Sequence, residues 1–196
     1  MKILICGDSF ACDWSVKYKD YAGWPNLLAE KFTVKNLAQA GCSEYKILKQ
    51  IQSQILPEYD LIIISHTSPY RIPVVQHPVH YKDVLHKDSD LLYSDIKYHS
   101  EENNNLLSIV DFFENYFDSD AFITFHTLLC EKIQLLTKSY NTLHLAHIDW
   151  QGLYKFENFL ELNSLWQSNR GLINHYDAKG NQTIAEIIQD WCNKQI

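Results

Sequence analysis

The chain has 196 residues and a formal net charge of −7, and apolar residues make up 46% of it. We therefore expect one globular domain over residues 1–196, with a sizeable core and no long disordered tract. The acidic balance argues against a nucleic-acid partner, which requires clustered Lys and Arg, and the lack of any run of about 18 apolar residues excludes a membrane span.

The first residues predict a buried β-strand that ends in a Gly-Asp-Ser turn. Residues 2–6 are continuously apolar, as in a strand covered on both faces. The start superficially resembles a secretory signal, but its apolar stretch is short, no small-residue cleavage site follows, and Asp8 comes directly after Gly7. Five scattered cysteines without CxxC pairs favour free thiols, so we expect a cytoplasmic protein.

The following elements alternate between helices and strands. Residues 24–32 predict a helix with Pro25 in its first turn, residues 33–38 a second strand, and residues 43–55 a helix with Ser43 as its N-cap. The sequence YDLIIIS over 59–65 predicts a third strand. Two helices over 104–117 and 120–139, a strand over 142–148 and a last helix over 178–194 complete the series.

Residues 66–103 interrupt this alternation. They are polar, rich in His, Tyr, Asp and Asn, and show no clear periodicity. A connection of that length inside a compact domain is usually functional or mobile. We interpret it as a long insertion that forms a loop or lid beside the ligand.

The alternation of strands and helices predicts a parallel sheet with right-handed crossovers. The fold class is thus α/β: a three-layer α/β/α sandwich, flavodoxin-like, with a parallel sheet of four or five strands. Ligands of such sheets bind at the carboxyl ends of the strands, beside the switch point in strand order. Ser9, Gly41 and His66 each follow a predicted strand, so we expect them on one rim of the sheet.

Three sequence blocks together resemble the conserved blocks of the SGNH, or GDSL-type, hydrolases. They are GDSF after the first strand, NLAQAGCS after the second, and NHYDAKGNQTIAE near the end, and their order and approximate spacing match across nearly the whole chain. The resemblance implies that Ser9 is the nucleophile and His175 its base. A serine hydroxyl needs such a base, and histidine has an ordinary pKa near working pH.

The resemblance also implies an oxyanion hole, with one departure from the family pattern. The backbone N–H groups of Ser9 and Gly41 match two of the family's donors. The third is an asparagine in a Gly-x-Asn-Asp block, but here the chain has Ser-His-Thr-Ser over 65–68. We interpret the chain as a divergent subgroup with a Thr-Ser-x-x-Arg motif, in which the Thr67 hydroxyl replaces the amide as donor. His66, Arg71 and Asp8 are expected near the substrate, and Asp8 also has a local role in accepting backbone N–H groups.

A second departure concerns the acid that normally orients the catalytic histidine. The family has Asp three residues before this histidine, whereas here Leu172 stands there. Asn174 and Asp177 are close in sequence but at the wrong offset. Asp149, just after the fourth strand, is one remote partner that we considered, although acids commonly end strands as turn or cap residues.

No metal or cofactor is expected from the sequence. His77, His80 and His86 have no cysteine partner and no helical i, i+4 pair of the HExxH kind. A histidine-rich loop is the simpler interpretation, and with Tyr70, Tyr81 and Tyr93 nearby it is a lid that stacks on a sugar or another flat ligand.

The function that follows is a serine esterase acting on a small acyl ester, including an O-acetyl group on a carbohydrate, through an acyl-serine intermediate. Its partner is then a small-molecule or carbohydrate ester. Two alternatives stay open at this point. One is an acyltransferase that uses the same serine and histidine with a sugar hydroxyl as acceptor, and the other is a degenerate domain that binds a glycan or protein without turnover.

Overall fold

The structure is a computed structural model, and it describes residues 1–150, 153–171 and 174–194. Within those ranges, one all-parallel sheet has five strands in the order β2-β1-β3-β4-β5. The strands are β1 (Lys2–Gly7), β2 (Thr33–Asn36), β3 (Leu61–His66), β4 (Thr142–Ala146) and β5 (Phe159–Glu161). The strand order reverses between β1 and β3, so the switch point lies between their carboxyl ends.

Seven α-helices connect and flank these strands in the described part of the chain. They are α1 (Trp24–Ala29), α2 (Glu44–Gln52), α3 (Tyr93–Ser100), α4 (Leu107–Asn115), α5 (Ser119–Thr137), α6 (Asn163–Ser168) and α7 (Ala178–Asn193). The predicted elements are all present, with bounds that differ by a few residues. Among the described helices, none is both long and apolar enough to cross a membrane.

The side chains of the strands alternate between two apolar layers. Ile3, Ile5 and Ile63 pack in the layer that contains the buried side chains of α1 and α7. Leu4 and Ile64, at the intervening positions, pack in the layer of α2 and α5. Because both faces are covered, the central residues of β1 and β3 are continuously apolar, as predicted. The expected three-layer α/β/α sandwich is confirmed.

The segment 66–103 contains secondary structure that the sequence does not predict. It contains α3 and an antiparallel bridge between Ile72 and Leu91. Ile96 of α3 packs with Val110 and Phe113 in a small apolar cluster of its own. This helix is not among the elements predicted from the sequence, and the role of the segment as a lid stays a prediction. The helix was missed because only Ile96 and Ser100 of α3 are buried, which leaves no apolar stripe to detect.

Two short elements also escaped prediction because of their length. β5 has 3 residues and α6 has 6, too few for a periodic pattern to emerge.

The N-cap of α2 is Ser43, as predicted, but its side chain makes no capping hydrogen bond. The backbone N–H of Ser43 instead donates to the Asp90 carboxylate at 2.8 Å. The insertion thus closes the amino end of α2.

Candidate active site

Ser9 lies on a tight turn directly after β1. The Ala11 N–H donates to the Asp8 carbonyl at 3.2 Å and closes the turn. The Trp14 indole N–H donates to the Ser9 carbonyl at 2.8 Å. These bonds fix the backbone around a half-buried serine at the carboxyl end of the strand.

The buried carboxylate of Asp8 stabilises this turn by hydrogen bonds. Its Oδ1 accepts the Phe10 N–H at 3.1 Å and the Ser65 hydroxyl at 3.1 Å, which matches the local role predicted for it. Burial raises the pKa of its carboxyl to about 6, and the positive charge of Arg71 opposes that rise. Asp8 is only 3% exposed and does not line the cavity described below, so the structure does not place it against a substrate.

Gly41 follows β2 and faces the same rim. Its φ of +75° lies in the left-handed region, and a Cβ added there would lie 2.8 Å from Ser89 Cβ. Glycine is therefore required both by the turn and by the close approach of the insertion. The Gly41 carbonyl accepts a hydrogen bond from Arg71 Nη1 at 3.1 Å, so its peptide is fixed from both sides.

His175 lies in the loop that precedes α7. Asn174, directly before it, has φ of 59°, and its carbonyl accepts the Trp166 indole N–H at 2.8 Å. The imidazole packs against the rings of Trp14 and Phe10, with centroid separations of 4.9 and 5.0 Å. The Ser9 turn and the His175 loop are thus in contact through aromatic side chains.

A cavity of about 440 Å³ brings these groups together. Ser9, Gly41, Arg71 and His175 line it, and Trp14 and Trp166 form aromatic walls. Most of the remaining lining residues belong to the insertion. Residues from widely separated parts of the sequence therefore share one pocket at the switch point of the sheet, where α/β folds bind ligands.

His66 is not part of this pocket, although the sequence placed it on the rim. It is the last residue of β3 and only 1% exposed. Its Nδ1 lies 2.7 Å from Glu44 Oε1 and its Nε2 lies 2.9 Å from His144 Nδ1. Since both ring nitrogens are engaged in the layer of α2 and α5, the prediction that His66 binds substrate is wrong.

Thr67 is also displaced from its expected role. It is 1% exposed, it does not line the cavity, and its hydroxyl accepts a hydrogen bond from Arg71 Nε at 3.2 Å. Arg71, which lines the cavity, is the side chain that offers donors beside Gly41.

The orienting acid of the histidine remains a prediction. Leu172 lies outside the described residues. Asp177 caps α7 by accepting the Gly180 N–H at 2.7 Å, which accounts for its position. Asp149 is exposed just beyond β4, where the sequence predicted it.

His147 is a buried histidine that is not among the site residues predicted from the sequence. It stacks on Phe10 at a centroid distance of 4.7 Å, and its Nδ1 lies 3.0 Å from the Tyr176 hydroxyl. Burial lowers its pKa to about 3, so the ring is neutral. It forms the packing layer behind Phe10, and the only sequence signal for it was its position near the end of the fourth predicted strand.

Comparisons with known proteins find distant structural similarity. No family model matches the chain, and no curated protein matches it. A GDSL-like lipase from Bacteroides thetaiotaomicron has 10% identity and a TM-score of 0.42 over 100% of this chain and 89% of that one. A candidate acylhydrolase from Bacteroides fragilis has 11% identity and a TM-score of 0.41 over 99% and 87%.

A third solved structure, a candidate lipolytic protein of the G-D-S-L family from Desulfitobacterium hafniense, has 14% identity and a TM-score of 0.37 over 94% of this chain and 95% of that one. What this chain does is inferred below from its own residues.

Proposed function

We propose that this protein is a serine ester hydrolase that cleaves a small acyl ester. The observation that supports this proposal is the shared cavity, which is lined by Ser9, Gly41 and His175 from three distant parts of the chain. A serine, a histidine and a backbone turn held open by glycine are the components that acyl transfer requires.

In the proposed reaction, Ser9 Oγ attacks the ester carbonyl carbon while His175 takes the hydroxyl proton. The tetrahedral intermediate collapses, His175 returns the proton to the leaving alcohol, and an acyl-serine forms. Water then attacks the acyl-serine, with its proton passing to His175. Ser9 regains that proton as the carboxylic acid leaves.

The negative charge of the intermediate needs donors that are already in place. The backbone N–H groups of Ser9 and Gly41 are two of those proposed, and the Arg71 guanidinium is the third. Arg71 is held by its bonds to the Gly41 carbonyl and the Thr67 hydroxyl, so little reorganisation is needed when charge develops.

The cavity walls favour an ester of a ring-shaped alcohol, such as an O-acetylated sugar. Trp14 and Trp166 present aromatic surface to the pocket, and the Arg71 side chain lines it as a polar group. Apolar ring faces combined with a few polar groups are typical of small-molecule sites that bind sugars. Acetyl release from acetylated mono- and oligosaccharides tests this substrate class.

Hydrolysis of p-nitrophenyl acetate tests the chemistry. Ser9→Ala is expected to lower kcat/KM by roughly 10³-fold or more, because no nucleophile remains. Ser108→Ala is the matched control: Ser108 is exposed on α4 and does not line the cavity, so its loss leaves the rate unchanged. Equal rates for Ser9→Ala and the unmodified protein would contradict the proposal and favour a binding domain.

A further inference from the structure

A second depression lies beside the cavity that contains Ser9, where the insertion meets α4. It encloses about 320 Å³, and we call it the apolar groove because aromatic and aliphatic side chains form most of its walls. The reaction steps proposed above do not use it. The residues that line the apolar groove are Tyr70, Leu92, Tyr93, Ser94, Phe113 and Phe117.

The apolar groove and the cavity share a wall. Leu92 lines both of them. Tyr70 lines the groove while the next residue, Arg71, lines the cavity, and Ser94 and Asp95 divide in the same way. Consecutive Cα atoms are about 3.8 Å apart, so the two depressions adjoin within the length of one residue. A ligand in the cavity therefore enters the groove by extending past Leu92.

This shared wall is fixed by backbone hydrogen bonds. Ile72 and Leu91 form an antiparallel bridge, in which the Ile72 N–H donates to the Leu91 carbonyl at 2.9 Å and the Leu91 N–H donates back at 3.1 Å. Both side chains pack against the apolar cluster that contains Ile96 and Phe113. The segments before Ile72 and after Leu91, which supply Arg71 and Leu92, are thus held side by side.

The aromatic walls of the groove are also held in place, yet part of their surface is uncovered. The Tyr93 hydroxyl donates to Glu114 Oε1 at 2.7 Å, and its ring centroid lies 5.8 Å from that of Phe113. The rings of Phe113 and Phe117 are 5.3 Å apart. Tyr70 and Tyr93 nevertheless keep 44% and 38% of their surface exposed. An apolar ligand that covers these rings gains burial without the cost of ordering them.

The proposed reaction indicates which end of the substrate faces the groove. The leaving alcohol takes its proton from His175, so the alcohol lies on the side of His175 and Trp14, whose rings are 4.9 Å apart. The oxyanion faces the donors at Gly41 and Arg71. The remaining substituent of the tetrahedral carbon is the acyl chain, which is left to extend along the Leu92 wall.

We propose that the apolar groove is the acyl subsite, and that the acyl group of the substrate is an apolar chain longer than acetyl. The chain passes Leu92 and lies against Tyr70 and Tyr93. This inference rests on the proposed hydrolysis and extends it: the ring-shaped alcohol keeps its place beside Trp14, and the groove selects the acid that is released.

A series of p-nitrophenyl esters from acetate to hexanoate tests the subsite, because the alcohol stays constant while the acyl chain grows. Each buried CH₂ is expected to raise kcat/KM by up to about fourfold, and the whole series by at least roughly tenfold. Tyr93→Ala, which removes a wall, and Ser94→Phe, which fills the groove from an exposed position, are each expected to lower the hexanoate-to-acetate ratio at least about threefold. A defect in folding alone lowers both rates and leaves this ratio unchanged.

Tyr116→Ala is the matched control. Tyr116 follows α4 directly, is 72% exposed and does not line the groove, so its replacement is expected to leave the ratio as in the unmodified protein. A flat series in the unmodified protein, or a ratio unchanged in both Tyr93→Ala and Ser94→Phe, would overturn the proposal.

Two further measurements separate other occupants of the groove. Acetate esters of longer alcohols, from ethyl to hexyl, are expected to show no rise that Tyr93→Ala removes, and such a rise would assign the groove to the alcohol. Sedimentation is expected to show no association that depends on the groove, and a dimer that dissociates in Tyr70→Ala would show that a second copy of the chain covers it. Either result would overturn the acyl subsite.

Failure of this inference is distinguishable from failure of the proposed function. Ser9→Ala reports on the chemistry with the acetate ester, whereas the hexanoate-to-acetate ratio reports on the groove. Hydrolysis that requires Ser9 but shows a flat ratio would refute the subsite alone. Hydrolysis that is equally fast in Ser9→Ala would refute the proposed function and the subsite with it.

Discussion

Asp8 shows how one buried carboxyl can serve the turn that presents Ser9 and still weaken the fold at neutral pH. It accepts hydrogen bonds from Phe10 and Ser65, yet burial raises its pKa from 3.8 to about 6. The folded chain therefore holds the Asp8 proton more tightly than the unfolded chain does. The stability linked to this proton is fully present below about pH 4 and is lost as the pH rises through about 6.

Asp8→Asn is expected to remove this dependence on pH. The difference in free energy of unfolding between variant and unmodified protein should shift by about 3 kcal/mol in favour of the variant from about pH 4 to pH 7, because the amide never ionises. Urea unfolding at several pH values measures this difference. Parallel stability curves for the two proteins would contradict the assignment.

Arg71 and Thr67 are competing assignments for the third oxyanion donor, and substitution separates them. Arg71→Lys is expected to lower kcat for p-nitrophenyl acetate by roughly 10²-fold, because one donor is lost from the transition state. Thr67→Val keeps the shape of the side chain, and we expect a smaller loss, since Thr67 is buried and does not line the cavity. A larger loss for Thr67→Val than for Arg71→Lys would restore the assignment based on the sequence.

At the scale of elements, Glu44 connects α2 to β3 and α5. Its carboxylate lies 2.7 Å from His66 Nδ1 and 3.5 Å from His126 Nε2, and it accepts the Thr67 N–H at 3.3 Å. Burial alone would raise the pKa of Glu44, but the two histidines lower it below its usual range. Glu44 thus holds the backbone of Thr67, next to the cavity, against the start of α2.

Removing the charge of Glu44 should be costly. Glu44→Gln is expected to lower the free energy of unfolding by roughly 3–5 kcal/mol, because His66 Nδ1 and the Thr67 N–H lose a buried carboxylate partner. Glu58→Gln is the matched control: Glu58 pairs with Lys2 at the surface, where its side chain is 52% exposed, and a change of at most about 1 kcal/mol is expected. Similar small effects of the two substitutions in urea unfolding would show that the buried network is not stabilising.

Because the pKa of Glu44 is lowered, its contribution to the free energy of unfolding depends on pH. A carboxyl group with a lowered pKa contributes stability above its usual pKa, here 4.5, and loses it as the pH falls. The destabilisation caused by Glu44→Gln is therefore expected to be larger at neutral pH than in acid. An effect that grows as the pH falls would contradict this linkage.

At the scale of the whole molecule, apolar periodicity was sufficient to predict the sheet and its layers. β1 and β3 are continuous apolar runs, and their alternating side chains pack against helices on both faces. The same alternation of side chains along β3 also predicts on which face of the sheet His66 lies. It has the parity of Ile62 and Ile64, so its side chain was bound to enter the layer of α2 and α5.

Other parts of the site depend on tertiary contacts that a sequence pattern does not contain. Arg71 donates to both the Thr67 hydroxyl and the Gly41 carbonyl, and the contacts of His80 and His99 with Asp95 are set by the folding of the insertion around α3. Both involve long polar side chains whose partners come from separate elements. Short elements such as β5 and α6 were lost because a few residues cannot show a period.

The meeting of Ser9 and His175 in one reactive pocket is tested most directly by labelling with a fluorophosphonate, which phosphonylates a serine only when a base activates it. Mass spectrometry is expected to find one adduct per chain, on the peptide that carries Ser9, with formation at least roughly 10²-fold slower in His175→Ala and none at that peptide in Ser9→Ala. An adduct on a different serine, no adduct at all, or labelling of Ser9 at an unchanged rate in His175→Ala would contradict it.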